Sequence, residues 1–211
     1  MATVATPYGL RTIQAIGGRP FNGGTIREYK VSANNAAAIF NGDLVVLSDA
    51  GQPSAVSATP TTATAGIVGV CVGATYVSAE GQVVHNHFLP ANLVTGGATE
   101  VFVKVMDDPD TLFQVKGSEA LADFNSGTAG SGWPGAIGKN AELGFGTAGS
   151  TATGNSGVNL LVDTDGAGLL TTNTFAVRIV DLVKGTESDP FPEFIVKLNV
   201  GVHSYETALG V

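Results

Sequence analysis

The chain has 211 residues, 44% hydrophobic and only 13% charged, with a formal net charge of −8, a pI near 4.7 and a mean hydropathy of +0.25. That apolar share excludes a disordered chain, and the length suffices for one large β domain or two small ones around a substantial core. The ten Lys and Arg stand singly, without basic runs, which excludes a phosphate-binding surface and argues against nucleic acid as a partner, and no apolar stretch reaches the about 18 residues of a membrane-spanning helix.

Residues 1–24 carry Pro7, Gly9, Gly17, Gly18, Pro20, Gly23 and Gly24, too many breakers for a regular element. Tyr8, Leu10, Ile13, Ile16 and Phe21 are nonetheless apolar, so this stretch is expected to be an extended N-terminal arm docking on its own domain or on a neighbour. The same stretch lacks the basic start and long apolar centre of a signal peptide. Together with a single cysteine, Cys71, in the apolar run 67–72, this predicts synthesis in a reducing cytoplasm and a buried, inert thiol.

Residues 25–31 (TIREYKV) alternate as a half-exposed strand, and 34–40 (NNAAAIF) form a helical turn or an irregular lead-in. Asn41-Gly42 signals a type I′ turn ahead of a buried strand over 43–47 (DLVVL). After a turn at 48–51, residues 52–65 form a small, polar surface loop. The run 66–77 (GIVGVCVGATYV) predicts a continuous apolar strand with Gly69 and Gly73 at bulge positions, and 83–89 predict another strand. Residues 101–116 (VFVKVMDDPDTLFQVK) have two β-rich arms around Asp107-Asp108-Pro109-Asp110 and predict a hairpin.

A short helical turn fits 119–124, and residues 125–157 form a long Gly-, Ser- and Thr-rich excursion. Trp133, Ile137, Leu143 and Phe145 punctuate it, so it is expected to be ordered and pinned by those anchors. Residues 158–162, 175–183 and 194–202 close the list of strands, with a turn at 163–166. The pattern predicts an all-β protein: a single β-barrel or β-sandwich domain over 25–211, with the arm 1–24 and the excursion 125–157 attached.

Chemistry is harder to find. The Asp107–Asp110 cluster offers carboxylate oxygens for a hard cation, but nothing follows at EF-hand spacing, and DTDG at 163–166 is followed by leucines and threonines. His85 and His87 share a strand face and could grip zinc only with His203 or a carboxylate, so a polar strand face is the simpler reading. Residues 135–140 (GAIGKN) fail the phosphate-loop pattern, and no G-x-S-x-G occurs. No catalytic residue, metal site or cofactor is expected.

Four strings resemble a known family: Pro7-Tyr8-Gly9-Leu10-Arg11, Asn41-Gly42-Asp43-Leu44-Val45, Asp107-Asp108-Pro109-Asp110-Thr111-Leu112-Phe113 and Arg178-Ile179-Val180-Asp181-Leu182. They resemble the head decoration, or capsid cement, proteins of tailed bacteriophages. The resemblance implies a β-rich virion protein, often a homotrimer, that sits on the capsid surface and staples neighbouring major capsid protein subunits. On that expectation the apolar residues of the arm and excursion, Tyr8, Leu10, Ile13, Phe21, Trp133 and Phe145, are the candidate interface. Two alternatives stand beside it. One is a tail, neck or fibre-associated virion protein binding a host surface glycan through Trp133, Tyr76 or Tyr205. The other is a hydrolase with paired carboxylates on a β scaffold.

Overall fold

The computed structural model describes residues 6–18, 26–48, 50–57, 66–119, 133–162, 169–171, 175–186, 189–199 and 202–206. Phe21, the turn at 163–166 and nearly all of the short helical turn predicted at 119–124 lie outside them, as does the start of the Gly-rich excursion.

The all-β expectation holds, in the form of two open antiparallel sheets. The first is six-stranded and runs β1 (Arg11–Ala15), β8 (Thr111–Lys116), β14 (Glu193–Leu198), β13 (Val177–Leu182), β9 (Asn140–Ala141) and β12 (Leu169–Leu170). The second runs β2 (Ile26–Lys30), β7 (Thr99–Met106), β5 (Ile67–Val77), β3 (Leu44–Leu47) and β4 (Pro53–Ala55), with β6 (Val83–Asn86) paired to the far end of β5. A small ribbon joins β10 (Leu143–Gly144) to β11 (Asn159–Leu160), and the short helix α1 spans Trp133–Ala136.

The second sheet is buried on both faces. One face packs on the first sheet in a core that includes Leu44, Ile67, Val70 and Met106 against Phe113, Val115, Ile179, Phe194 and Val196. Its other face carries Val45, Val68, Cys71, Val103 and Val105 beneath Ile39, Leu89 and Ala98. This explains why 66–77 show no alternation: both faces of β5 need apolar residues. Ile67 points into the first core and Val68 into the second, yet Val70 and Cys71 repeat that order instead of inverting it. Gly69 absorbs the extra residue at φ +152°, so close to β7 that an added Cβ would sit 2.0 Å from the Met106 carbonyl oxygen. In the first sheet a register shift between Ile179 and Asp181 moves the inward positions from Val177 and Ile179 to Leu182.

Three local expectations are corrected. The arms of 101–116 form strands but do not pair: β7 lies in the second sheet and β8 in the first, so Asp107–Asp110 is a crossover between layers. Periodicity marks each arm as a strand but carries no information about its partner. Asn41-Gly42 forms a different turn. Asp43 N–H donates to the Phe40 carbonyl with Gly42 at φ +92° and Asn41 outside the positive-φ region, the signature of type II rather than I′. Finally, residues 6–18 do hold a regular element, and of the two dockings expected of the arm they show the one on its own domain. β1 pairs with β8, with a bulge at Ile13, and Leu10 is 1% exposed inside the first core. Here the partner strand β8 supplies the hydrogen bonds that local breakers would deny.

Candidate functional site

Two places concentrate the tertiary polar contacts, and a cleft lies near the first. The first is a main-chain joint. Gly9 N–H donates to the Val158 carbonyl at 3.1 Å, Leu10 N–H to Gly42 at 3.0 Å and Ser156 N–H to Asn41 at 2.8 Å, while Gly42 N–H reaches Cys71 at 2.9 Å. Gly9 (φ +79°) and Gly42 (φ +92°) cross back to back. A Cβ on Gly9 would lie 2.5 Å from Ser156 Cβ, and one on Gly42 would lie 2.9 Å from Gly9 Cα. Asp43 completes the joint: its Oδ2 accepts the Phe40 N–H at 2.8 Å, and burial raises its pKa against the opposing hydrogen bonds from Ser156 and Phe40.

The cleft, about 430 Å³, opens beside this joint between the outer edges of β1 and β2. Arg11 and Thr12 come from β1, Ile26 from β2, and Val72 and Met106 supply apolar wall; Asn41, His87 and Asn155 line it too, with His87 Nε2 3.1 Å from Asn155 Oδ1. Among the described residues both flanking strands are sheet edges, and Ile26 is 36% exposed. Val31 N–H bonds inward to Val101, so the alternation of an antiparallel ladder turns the main-chain groups of Ile26, Glu28 and Lys30 outward. Tyr8 lies near the rim, with the Arg11 guanidinium 4.0 Å from its ring centroid; burial first, then the Glu193 carboxylate, raise its phenol pKa.

The second place is a side-chain clasp at the crossover. Asp107, 7% exposed, receives Arg27 Nε at 2.8 Å, the Tyr205 hydroxyl at 2.9 Å and the Tyr29 hydroxyl at 3.3 Å, all on Oδ2. The two phenol oxygens are 2.9 Å apart. Burial, and for Tyr29 also its hydrogen bond to Tyr205, raise both phenol pKa values, so both stay protonated at neutral pH. A carboxylate surrounded by donors from β2 and from residue 205 ties segments together; it is not poised to take a proton from a substrate.

The residues expected at an interface separate into groups. Leu10 is used inside its own core and is not presented to a partner, while Phe145 packs against that core and stays partly accessible. The apolar character of Leu10 serves the core, not a docking surface. Tyr8 and Ile13 remain partly accessible, Trp133 opens α1, and Phe21 lies outside the described residues. His85 and His87 are both exposed, but His85 Nδ1 contacts Thr75 Oγ1 at 3.1 Å while His87 turns to Asn155; His203 is 1% exposed and in neither contact. Among the described residues no three His, Cys, Asp or Glu side chains gather as metal ligands would. Burial pushes the Cys71 thiol up to about 12.

Sequence reasoning missed the clasp. Arg27 and Tyr29 share strand parity, but Asp107 and Tyr205 are 98 positions apart, and nothing local links them. It also missed the cleft, which depends on β1 being an edge strand. Compared with models of protein families, with curated proteins and with solved structures, the chain matches none.

Proposed function

We propose that the protein is a non-catalytic virion component that binds the outside of a tailed-phage capsid as a homotrimer and bridges neighbouring major capsid protein subunits. The observation that carries this reading is the pair of sheet edges, β1 and β2, unpaired among the described residues and flanking a cleft with apolar wall and polar rim. An unpaired edge is a template for an extended segment of another chain, which gains main-chain hydrogen bonds from the edge and specificity from the pocket beside it. β8 of the first sheet holds one edge in place and β7 of the second sheet the other. A charged share of 13% adds support, because surfaces covered in an assembly are depleted of charge. Contacts that are modest singly would gain strength when repeated over a trimer on a lattice.

The test combines light-scattering mass with co-sedimentation on capsids of the major capsid protein that accompanies it. The expected result is three chains per particle and binding that weakens at least tenfold in Ile26→Asp. A monomer that ignores capsids would overturn the reading. One feature favours the alternative of a tail, neck or fibre-associated protein: Tyr205 is 48% exposed with Arg27 5.5 Å from its ring centroid, a small aromatic surface suited to a glycan. Glycan-array signals lost in Tyr205→Ala, without capsid binding, would select it.

A further inference from the structure

The stretch 202–206 is a strap between the sheets. It follows β14, and His203 bridges Ile67 of β5, where the Ser204 N–H donates to the Ile67 carbonyl at 2.7 Å. Glu206 then turns back, its N–H donating to the His203 carbonyl at 3.0 Å and its carboxylate lying 3.9 Å from Lys197 Nζ on β14. Tyr205 reaches Asp107 in the clasp and stacks edge-on against the His203 ring at 5.1 Å.

The strap is poorly satisfied. His203 Nε2, Ser204 Oγ and Glu206 Oε2 are buried without a hydrogen-bond partner, three of the six such side-chain atoms among the described residues. Each is held at a desolvation cost, which places this stretch among the first to open locally.

The hydrogen bonding also fixes the tautomer of His203. Tyr205 N–H donates to Nδ1 at 3.2 Å, so Nδ1 carries the lone pair and the proton of the neutral ring is on Nε2. A second proton must go to Nδ1, where it would face the Tyr205 N–H, donor against donor. We infer that His203 makes the strap an acid-sensitive latch: proton uptake at Nδ1 breaks the Tyr205 N–H bond, draws Tyr205 off Asp107 and releases Ser204 from Ile67.

The groups around the ring act in both directions. Asp107 and Asp108 of the crossover favour the imidazolium, Lys197 of β14 opposes it, and burial outweighs them and lowers the pKa. Arg27 and Tyr29 of β2 meet the Asp107 carboxylate, Tyr205 lies edge-on to the ring, and Ile67 of β5 is apolar. A histidine whose folded pKa lies below its ordinary value, about 6.5, keeps its full contribution above that value and loses it as pH falls through the folded pKa. The latch is therefore fully stabilised above about pH 6.5 and loosens as pH falls below it.

Amide hydrogen exchange on the full chain between pH 8 and pH 5 tests this. Once corrected for intrinsic exchange, protection of the Ser204 amide should fall by up to about tenfold per pH unit from about pH 6.5 down to the folded pKa and level off below it, while the Val196 amide in β14 holds. In His203→Asn the side-chain oxygen can accept the same N–H two residues on, as in an Asx turn, without titrating, so its profile should be flat. Wild-type Ser204 protection that stays flat to pH 5 overturns the latch, as does acid loss of the same size in His203→Asn. If that variant does not fold, the ring nitrogens of wild-type His203 decide: protection that keeps falling below the pH at which the ring takes up its second proton overturns it too.

Discussion

The joint at Gly9 and Gly42 and the clasp at Asp107 both fasten distant parts of the chain, yet they do so with opposite means. The joint is main chain against main chain: four carbonyls accept N–H groups across it, and there is no space for a single methyl group at Gly9. The clasp is side chain against side chain, with one buried carboxylate oxygen shared by a guanidinium and two phenols. A main-chain joint tolerates almost no change in its residues. A side-chain clasp can lose one donor at a time and weaken in steps. The body of the protein is thus secured by a contact that fails all at once, and the end of its chain by one that yields gradually.

The largest effect should fall on the joint. Gly9→Ala adds a Cβ 2.5 Å from Ser156 Cβ at a φ of +79°, and left-handed strain plus overpacking should cost about 2–5 kcal/mol. Urea unfolding would show this as a lower midpoint at unchanged slope, and a loss below about 1 kcal/mol would mean that the joint bends like the clasp. Asp107→Ala should come next, at about 1–3 kcal/mol, because Tyr29 and Tyr205 lose their common acceptor while Arg27 returns to water. Its signature is lost exchange protection at 203–206 with the strands of the first sheet intact. Tyr205→Phe removes one donor and keeps the ring, so about 0.5–1.5 kcal/mol is expected in thermal unfolding. Lys30→Ala, which breaks the 3.4 Å contact to Glu100 between two well-exposed side chains, should change stability by less than about 0.5 kcal/mol. A larger loss there would show that surface charge matters more than either fastening.

Strands with strong apolar patterning were legible in sequence. β5, β7, β8, β13 and β14 fall where residue type and periodicity place them, and Gly69 and Gly73 sit at register shifts in β5. Pairing was not legible, because Val103 and Phe113 look alike to any neighbour. Only the structure assigns them to the second and first sheets. β1 was obscured by the glycines and prolines around it, since its stability comes from β8 rather than from local propensity. The candidate site was less legible still. The cleft needs two edge strands brought side by side, and the clasp needs Tyr205 to return to Asp107 from the other end of the chain. A sequence reveals contacts of that range only through a repeated local signature, and a lone Asp or Tyr has none.

Cys71 gives the second core a built-in clock. The only thiol of the chain is fully buried in β5, 4.0 Å from the Ile39 carbonyl, and burial pushes its pKa up to about 12. A thiol-specific reagent can reach it only when the layer carrying Ile39 and Leu89 lifts off the sheet. The rate of labelling in excess reagent therefore counts those openings directly. Compared with the rate of global unfolding, it tells whether this outer layer breathes alone or rises only when the whole sandwich comes apart.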